Sequence, residues 1–208
     1  MTLQIVIPGT FSSPGLPELD VRGFADTFTR ADASSLGYTE RPKREWSLQP
    51  NDPALFTGGI LSGQAFLKRT STAGPAYAVA ESNLSDAFLD VVLASIGAGT
   101  QREFGAVFRF TSPNNMWRLI SRDKSEYRLV KYAGGTATVV WTSSGITPTN
   151  GDRLRVAMDG PNMFIHINGQ QVHQLTDSMN QQATMHGWYG NTTGNSDRID
   201  NIALTPFA

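Results

Sequence analysis

The sequence predicts an all-β protein: a two-sheet antiparallel jelly-roll sandwich with an extended N-terminal arm. Three observations support this prediction. The chain is divided into many short β-prone runs, these runs are separated by turn residues at regular intervals, and no long helical pattern stands out among them. We therefore divide the chain into an arm or linker over residues 1–20 and one β-sandwich domain over residues 21–208.

The composition is that of an ordinary globular domain. The 208 residues are 39% hydrophobic and 17% charged, with a formal net charge of -1, which suits one sizeable core. A charge this close to zero gives no electrostatic reason to expect nucleic acid or an anionic membrane surface as a partner. We also expect no membrane insertion, because no apolar run approaches the ~18 residues that a spanning helix needs. Cysteine is absent, which excludes disulfides, thiolate metal sites and a cysteine nucleophile.

The first twenty residues differ from the rest of the chain. A short β-prone run, LQIVI, is followed by three prolines among glycines and serines, a composition that does not fit a central strand. The start lacks the positive region of a signal peptide, so we do not expect one. We interpret the segment as an extended assembly arm whose apolar residues pair with a neighbouring subunit, and an unstructured start is the alternative. The residues concerned are Leu3, Ile5 and Ile7.

The C-terminal half predicts an antiparallel meander. From residue 103 onward, β-prone runs are joined by the turn sequences SPNN, DKSE, AGGT, TNGD and GPN, and finally by Asn168-Gly169. Asn-Gly between alternating runs is the strongest short hairpin signal, because a type I′ turn needs positive φ at both central residues. The segment SDAFLDVVLASIG (85–97) has a plausible helix cap and stop, but its β-prone residues favour a strand that continues the surrounding pattern.

Two segments resemble known domains. FADTFTRADASSLG (24–37), followed by Trp46, resembles the opening D-x-F-x-R-A-D-x-S-x-L-G of domains found in tailed-bacteriophage minor tail proteins. The segments at 151–177, 186–191 and 197–206 resemble the last strands of concanavalin A-like (laminin G-like) lectin and glucanase jelly rolls. The resemblance implies a lectin-like virion protein that is made in the host cytoplasm, forms homo-oligomers, contacts other virion proteins and binds a host-surface glycan.

The opening motif has a structural interpretation. Phe28 and Leu36 are expected to be buried, while Asp26 and Asp32 flank Arg30 closely enough to pair with it. We interpret these three charged residues as a clasp that fixes a loop onto the sandwich. The alternative is that Arg30 contacts a ligand.

The motifs of catalysis are missing from the sequence. Glycoside hydrolases of the resembled fold carry an E-x-D-x-x-E strand, and this chain has none. The acid pairs Glu18/Asp20 and Asp86/Asp90 lack a third acid, and neither G-x-S-x-G nor H-E-x-x-H occurs. We therefore predict no catalytic residues and a non-enzymatic protein. A cofactor is not expected either.

Calcium is the metal that we expect most on a fold of this kind. The loop NTTGNSD, followed by RIDN, offers oxygen ligands of the kind that calcium takes, although such polar loops are often merely solvated. The three calcium candidates are Asn195, Asp197 and Asp200.

A sugar site needs an aromatic platform beside planar polar groups. Successive side chains of a β-strand point to opposite faces, and this alternation assigns Trp117 and Trp141 to the core. Trp188 and Tyr189 fall on opposite faces next to a polar loop, so one of them should be exposed. We predict a carbohydrate-binding patch around them, and the alternative is that these strand aromatics belong to the core. Its members are Trp188, Tyr189, His186, Asn191, His166 and Arg118.

The Asn168-Gly169 turn predicts a register for the last hairpin. Ile167 should pair with Gln170, then His166 with Gln171, Ile165 with Val172 and Phe164 with His173. His166 and His173 would then share the solvent-side face. That face could hold a metal, contact a ligand, face a subunit or be inert.

These observations favour a non-enzymatic bacteriophage virion protein, either a minor tail protein or an accessory one, that adheres to the host surface or binds carbohydrate. One alternative is a capsid decoration or assembly protein with no glycan ligand. The other is a secreted glycan-binding or glycan-active protein of the same fold, which the missing signal peptide and acidic motif count against.

Overall fold

The computed structural model describes residues 22–50, 55–70, 74–97, 99 and 101–207. All the regular elements in these ranges are β-strands, as the sequence predicts. No helix in the described residues could span a membrane. The predicted arm, with Leu3, Ile5 and Ile7, lies outside the described residues.

The strands within the described ranges are short, and six pairs of consecutive strands are joined by turns of two or three residues. They are β1 (Phe24–Asp26), β2 (Ser47–Gln49), β3 (Phe56–Leu61), β4 (Gln64–Arg69), β5 (Ala76–Glu81), β6 (Ala87–Ser95), β7 (Glu103–Ser112), β8 (Asn115–Arg122), β9 (Glu126–Ala133), β10 (Thr136–Thr142), β11 (Asp152–Asp159), β12 (Asn162–Ile167), β13 (Gln170–Thr176), β14 (Met185–Gly190) and β15 (Arg198–Thr205).

The strands form two antiparallel sheets. Sheet I has eight strands in the order β13-β12-β11-β6-β15-β4-β3, with β1 paired to the later part of β15. Sheet II has seven strands in the order β10-β9-β8-β7-β14-β5-β2. The inner faces of both sheets contribute to one apolar core, so the arrangement is the predicted two-sheet sandwich.

Strand β6 resolves the choice between strand and helix over residues 85–97 in favour of the strand. Leu89, Val91 and Leu93 are fully buried in the core, while the alternate residues Phe88 and Val92 are only partly buried. This period of two is the pattern of a strand with one face on the core. β6 lies between β11 and β15 in the middle of sheet I.

The hairpin of β12 and β13 begins in the predicted register and then departs from it. Ile167 pairs with Gln170 and His166 with Gln171, but Ile165 pairs with His173 because the register shifts after His166. This β-bulge places one extra residue on β13 and reverses the faces of the β13 residues beyond it. The prediction that His166 and His173 share the outer face is therefore wrong. His173 instead stacks on Trp141 of β10, with ring centroids 5.4 Å apart.

The opening motif builds an ion pair between the buried Asp26 and the partly exposed Arg30. The Arg30 Nη1 donates to Asp26 Oδ1 at 2.7 Å and Nη2 to Oδ2 at 3.1 Å. The same carboxylate accepts the Trp46 Nε1–H at 2.8 Å and the Phe28 N–H at 2.9 Å. Phe28 is fully buried at φ 54°, a left-handed conformation that a bulky residue rarely adopts. Asp26 thus fixes a strained turn onto the core.

The predicted clasp of three charged residues is wrong for Asp32, which does not pair with Arg30. Its Oδ1 accepts a hydrogen bond from the Ser62 backbone N–H at 2.6 Å, in the turn between β3 and β4. The second partner of Arg30 is instead the Leu36 carbonyl, which accepts a hydrogen bond from Nη2 at 2.8 Å. Asp32 therefore ties the opening loop to a neighbouring hairpin, and Asp26 alone supplies the carboxylate to Arg30.

Candidate functional site

The structure divides the predicted carbohydrate patch among three places. Trp188 and His186 lie in the interior, both with 0% exposure, and His166 lies on the outer face of sheet I. Arg118, Tyr189 and Asn191 come together on the outer face of sheet II. The prediction that these six residues form a single patch is therefore wrong. The alternation of side chains along a strand gives the face of each residue but does not show which strands lie side by side.

Trp188 is a core residue. It packs edge-on against Trp46, with ring centroids 4.7 Å apart, and against Phe28 at 5.5 Å. Tyr189 points the other way, as parity predicts, yet it too is only 2% exposed. The expectation that one of the two is exposed is wrong, because the outer face of sheet II has an apolar cluster of its own. The members of that cluster are Tyr77, Val79, Val107, Phe110, Met116, Ile120, Val130 and Tyr189.

His186 is held in the interior by two backbone groups. Its Nε2 lies 3.0 Å from the Leu84 carbonyl oxygen, and its Nδ1 accepts the Arg109 backbone N–H at 3.3 Å. These partners require a neutral ring with the proton on Nε2. Burial lowers the pKa of His186 to about 4, so the ring stays neutral at ordinary pH. The role of this histidine in the structure is to satisfy backbone groups.

The polar groups on sheet II meet around one carboxylate, and we call this group the Glu103 cluster. It comprises Glu103, Arg118, Arg122, Tyr132 and Tyr189. Glu103 Oε2 accepts the Tyr189 hydroxyl proton at 2.8 Å and lies 3.5 Å from Arg118 Nη1, while Oε1 accepts from Arg122 Nη1 at 2.8 Å. The Arg118 guanidinium lies 4.3 Å from the Tyr189 ring centroid and 4.5 Å from that of Tyr132. Two tyrosine rings and a carboxylate thus surround one arginine.

Asn191 positions the carboxylate without touching it. The Asn191 side-chain oxygen accepts the Glu103 backbone N–H at 2.8 Å, and the Asn191 backbone N–H donates back to the Glu103 carbonyl at 3.2 Å. This pair links the end of β14 to the start of β7. Of the six predicted carbohydrate-binding residues, Arg118, Tyr189 and Asn191 are therefore the ones that the fold brings to one place.

Three members of the cluster, Glu103, Arg122 and Tyr132, were not among the residues that the sequence predicted. The alternation of EFGAVFRF places Glu103 on the face opposite the Phe104 side chain, and the same alternation in β9 separates Tyr132 from the core residue Leu129. These signals give the faces of the strands. They become informative only when β7, β8 and β9 are known to be adjacent, since that adjacency brings the side chains into contact.

The electrostatics of the cluster favour a charged arginine and neutral tyrosines. Burial works against the Arg118 guanidinium, but Tyr189, Tyr77 and Glu103 outweigh it, and the pKa of Arg118 is raised. Burial raises the pKa of Tyr77 to about 12, and it also raises the pKa of Tyr189. The tyrosine hydroxyls therefore remain protonated and can donate hydrogen bonds.

The floor beside the cluster is made by two glycines. A Cβ at Gly105 would lie 2.2 Å from the Leu119 carbonyl oxygen, and a Cβ at Gly187 would lie 1.9 Å from that of Ala78. Gly105 lies in β7, directly between Tyr189 of β14 and Ile120 of β8. The missing side chains let β7 approach β8 closely and β14 approach β5 closely.

A cavity adjoins this cluster. It has a volume of about 240 Å³ and is lined by Tyr77 and Tyr132 together with Asn114, three prolines, a glycine and two apolar residues. Tyr132, Glu103 and Arg122 are the partly exposed members of the cluster, with 16% of the Glu103 side chain and 25% of the Arg122 side chain exposed. The arrangement offers an aromatic surface beside a carboxylate and an amide, which are the groups that recognise the apolar face and the hydroxyl rim of a sugar.

The loop predicted to offer calcium ligands is already engaged within the fold. The Asp197 side chain is nearly fully buried, and it accepts the Gly97 backbone N–H at 2.6 Å and an Arg102 Nη2–H at 3.0 Å. The Asn195 carbonyl accepts the Arg198 Nε–H at 3.0 Å, and Asp200 is half-buried in β15. In the described part of the chain, no group of three or more histidine, aspartate or glutamate residues is placed to hold a metal ion.

Comparisons with known proteins identify the fold. The sequence matches no known protein-family model and no curated protein. Among solved structures, the Bacillus licheniformis β-glucanase is 11% identical, with 89% of this chain and 99% of that one covered, at a TM-score of 0.62. The carbohydrate-binding module CBM66 from Bacillus subtilis is 11% identical, with 90% and 94% covered, at 0.50. The VIP36 exoplasmic/lumenal domain, in a form bound to Ca²⁺ and Man3GlcNAc, is 11% identical, with 78% and 86% covered, at 0.53. The chain therefore has the concanavalin A-like jelly-roll fold found among lectins and glucanases, as its closing strands predict.

Proposed function

We propose that this protein is a non-enzymatic glycan-binding component of a bacteriophage virion, a minor tail or accessory protein that adheres to the host surface. The Glu103 cluster carries the glycan-binding part of the proposal. The virion part is supported by the resemblance of residues 24–37 to the opening of minor tail protein domains. The proposed partners are other virion proteins, further copies of this chain and a host-surface glycan.

The buried arginine is the observation that favours a binding site. Arg118 is only 3% exposed, and removing a guanidinium from water is unfavourable unless neighbouring groups compensate. Tyr132, Tyr189 and Glu103 compensate it here and are fixed in place by it. A rigid, pre-ordered polar group beside an exposed ring loses little entropy when a sugar binds. The names of two structural neighbours, a carbohydrate-binding module and a Man3GlcNAc-bound domain, agree with this ligand class.

The charge state of the acids supports a binding role over hydrolysis. A general acid for glycoside hydrolysis needs a carboxyl pKa raised toward neutrality. Among the described carboxyl groups whose pKa shift is resolved, those of Glu81, Asp90 and Asp177 are all lowered.

The test is glycan binding by the wild type and by Tyr132→Ala. A glycan array followed by titration calorimetry should detect a ligand, and Tyr132→Ala should weaken it about tenfold, because one stacking surface is worth roughly 1.4 kcal/mol. Tyr132→Phe should keep most of the affinity. Tyr38→Ala is the matched control, since Tyr38 is 56% exposed and belongs to neither sheet.

Two results would overturn the proposal. Unchanged affinity in Tyr132→Ala would remove the Glu103 cluster from the binding site. Shortened products after incubation of the bound glycan with wild-type protein would contradict the non-enzymatic assignment.

An assembly protein without a glycan ligand is the second candidate, and strand β10 favours it. Among the described strands β10 is the outermost of sheet II, and its Val139 and Val140 are 49% and 37% exposed. Exposed apolar residues on an edge strand suit pairing with another chain. If arrays of host cell-wall glycans bind nothing while Val139→Lys abolishes incorporation into particles, this second function replaces the first.

A further inference from the structure

We propose that the outer face of sheet I carries a second ligand site, which binds a carboxylate or sulfate group borne by a glycan. This inference rests on the proposed glycan-binding function and extends it to acidic sugars. The site, here called the arginine cleft, is formed by Phe88, Arg153, Arg155, His166 and Asn168. It lies on the opposite side of the sandwich from the Glu103 cluster.

The cleft has the size of a small-ligand site. Its volume is about 520 Å³, within the range typical of such sites, and strands β6, β11 and β12 form its floor. A second cavity of about 300 Å³ lies beside it and shares Arg153 with it. Arg153 therefore stands where the two cavities meet and can reach a ligand in either of them.

The charges in the cleft favour an anion. Asp90 is the carboxylate between the two arginines, and it accepts hydrogen bonds from Arg155 Nε and Nη2 at 2.8 Å each and from Arg153 Nε at 3.0 Å. Two guanidinium groups therefore face one carboxylate, which leaves one positive charge in excess. The neighbouring acid Asp152 points to the opposite face, where it accepts a hydrogen bond from the Tyr127 hydroxyl at 2.6 Å.

The arginines keep hydrogen-bond donors for a ligand. The contacts to Asp90 use the Nε of Arg153 and the Nε and Nη2 of Arg155, so their other terminal nitrogens have no partner among the described residues. The Arg153 side chain is 54% exposed and that of Arg155 is 39% exposed. Their shared carboxylate holds both guanidinium groups in place, so an oxyanion meets donors that are already oriented.

The rest of the lining is suited to a sugar ring. Phe88 is partly buried, with the Arg155 guanidinium 5.1 Å from its ring centroid and the Phe207 ring packed edge-on at 4.5 Å. The His166 ring borders the cleft, and its Nδ1 has no hydrogen-bond partner in the described part of the protein. The Asn168 side chain fixes the rim by accepting the Arg153 N–H and donating to Asp152, both at 2.9 Å. An apolar ring beside charged donors matches an acidic sugar better than a bare ion.

The test is titration calorimetry with four probes: tri-galacturonic acid, its methyl ester, a sulfated galactose trisaccharide and inorganic sulfate. The wild type should bind the galacturonate or the sulfated trisaccharide, and whichever binds more tightly identifies the anionic group. The methyl ester should bind about tenfold more weakly or not at all, since a charge-assisted hydrogen bond is worth roughly that factor.

Arg153→Gln is the informative variant, because Asp90 keeps its two-pronged pair with Arg155 and the fold is preserved. It should weaken acidic-sugar binding about tenfold and leave the Tyr132-dependent ligand unaffected. Lys68→Gln removes an equal charge from another strand of the same sheet and should change neither.

Three results would overturn the inference. They are unchanged acidic-sugar affinity in Arg153→Gln, equal affinity for the methyl ester, and binding of inorganic sulfate as tightly as the glycans, which would mean a generic anion site. If the first of these results is accompanied by loss of acidic-sugar binding in Tyr132→Ala, the acidic ligand belongs to the Glu103 cluster. If Tyr132→Ala changes no binding but Arg153→Gln does, the Glu103 cluster proposal fails while the arginine cleft stands.

Discussion

At the residue scale, the buried His186 makes the stability of this protein sensitive to mild acid. Both ring nitrogens form hydrogen bonds with backbone groups. Nδ1 accepts a hydrogen bond from the Arg109 backbone N–H, so a proton on Nδ1 would point at that N–H and break the bond. The folded-state pKa of about 4 lies below the ordinary value of 6.5, so the unfolded chain binds a proton first as the pH falls. This histidine therefore contributes stability that is fully present above pH 6.5 and is lost as the pH falls toward 4.

We expect the free energy of unfolding to fall by about 2 kcal/mol between pH 7 and pH 5 through this residue. Urea unfolding at the two pH values measures it. His186→Gln can donate to Leu84 and accept from Arg109, so it should remove most of that fall. His166→Gln, on the outer face of sheet I, should keep it. An equal fall in wild type and His186→Gln would show that another group is responsible.

Asp26 is the second residue whose removal should affect the whole fold. Its carboxylate binds Arg30, the Trp46 indole and the Phe28 N–H, and it holds Phe28 in a left-handed conformation. Asp26→Ala should destabilise the protein by about 2–4 kcal/mol, because buried donors lose their acceptor.

Thermal unfolding checks this prediction, with Asp32→Ala as the control. Asp32 is exposed and accepts a backbone hydrogen bond from Ser62, so its loss should cost about 1 kcal/mol or less. Equal destabilisation in the two variants would show that the Asp26 carboxylate contributes no more to the free energy of unfolding than the exposed Asp32 does.

At the element scale, strands β7 and β14 depend on their glycines. The nearest contacts of a Cβ at Gly105 or Gly187 are backbone atoms of adjacent strands, which cannot move aside as a flexible side chain would. Gly105→Ala and Gly187→Ala should each destabilise the protein by at least about 2 kcal/mol. Chemical denaturation measures the loss.

Gly74→Ala is the control for the glycine variants, since nothing lies within 4 Å of the position of its Cβ and its φ is not in the left-handed region. It should unfold at nearly the wild-type denaturant concentration. If Gly105→Ala and Gly187→Ala do the same, the strands are free to move apart and the close approach is not required.

The sequence could predict much at this scale, and its failures have local causes. The alternation in β6 and the Asn168-Gly169 turn both depend on neighbours in sequence, and both predictions are confirmed. The turn sequence gives no sign of the bulge in β13 or of the stacking of His173 on Trp141, since that contact joins edge strands of two different sheets. A register drawn from the turn alone therefore holds only for the residue pairs nearest the turn.

At the scale of the whole molecule, the fold was more predictable than the sites. Repeated turns and the closing strands point to a two-sheet jelly roll, which the comparisons confirm. The Glu103 cluster draws its residues from β7, β8, β9 and β14, and no single segment of the sequence shows the order of these strands. Arg118 and Tyr189 could be chosen as candidate site residues from their residue types alone. Glu103 could be recognised as part of the site only once the order of the strands in sheet II was known.

The arm supports a prediction for the assembled particle. Residues 1–20 precede β1, and in the described part of the chain the first strand of the two sheets begins at Phe24. We expect a variant lacking residues 1–20 to keep the thermal unfolding and glycan binding of the full chain but to be lost from virions. Incorporation can be followed by electron microscopy of purified particles. Retention at wild-type levels would contradict the attachment role proposed for the arm.

The glycine at position 105 has one more consequence, which concerns how the chain avoids wrong structures. If β7 slipped by one residue against β8, a Cβ from Phe104 or Ala106 would take the place where a Cβ at Gly105 would lie 2.2 Å from the Leu119 carbonyl oxygen. The same slip would turn the Phe104 and Phe108 rings away from the core. A missing side chain therefore penalises misaligned pairing during folding, and it helps a sheet of many similar short strands to reach a single alignment.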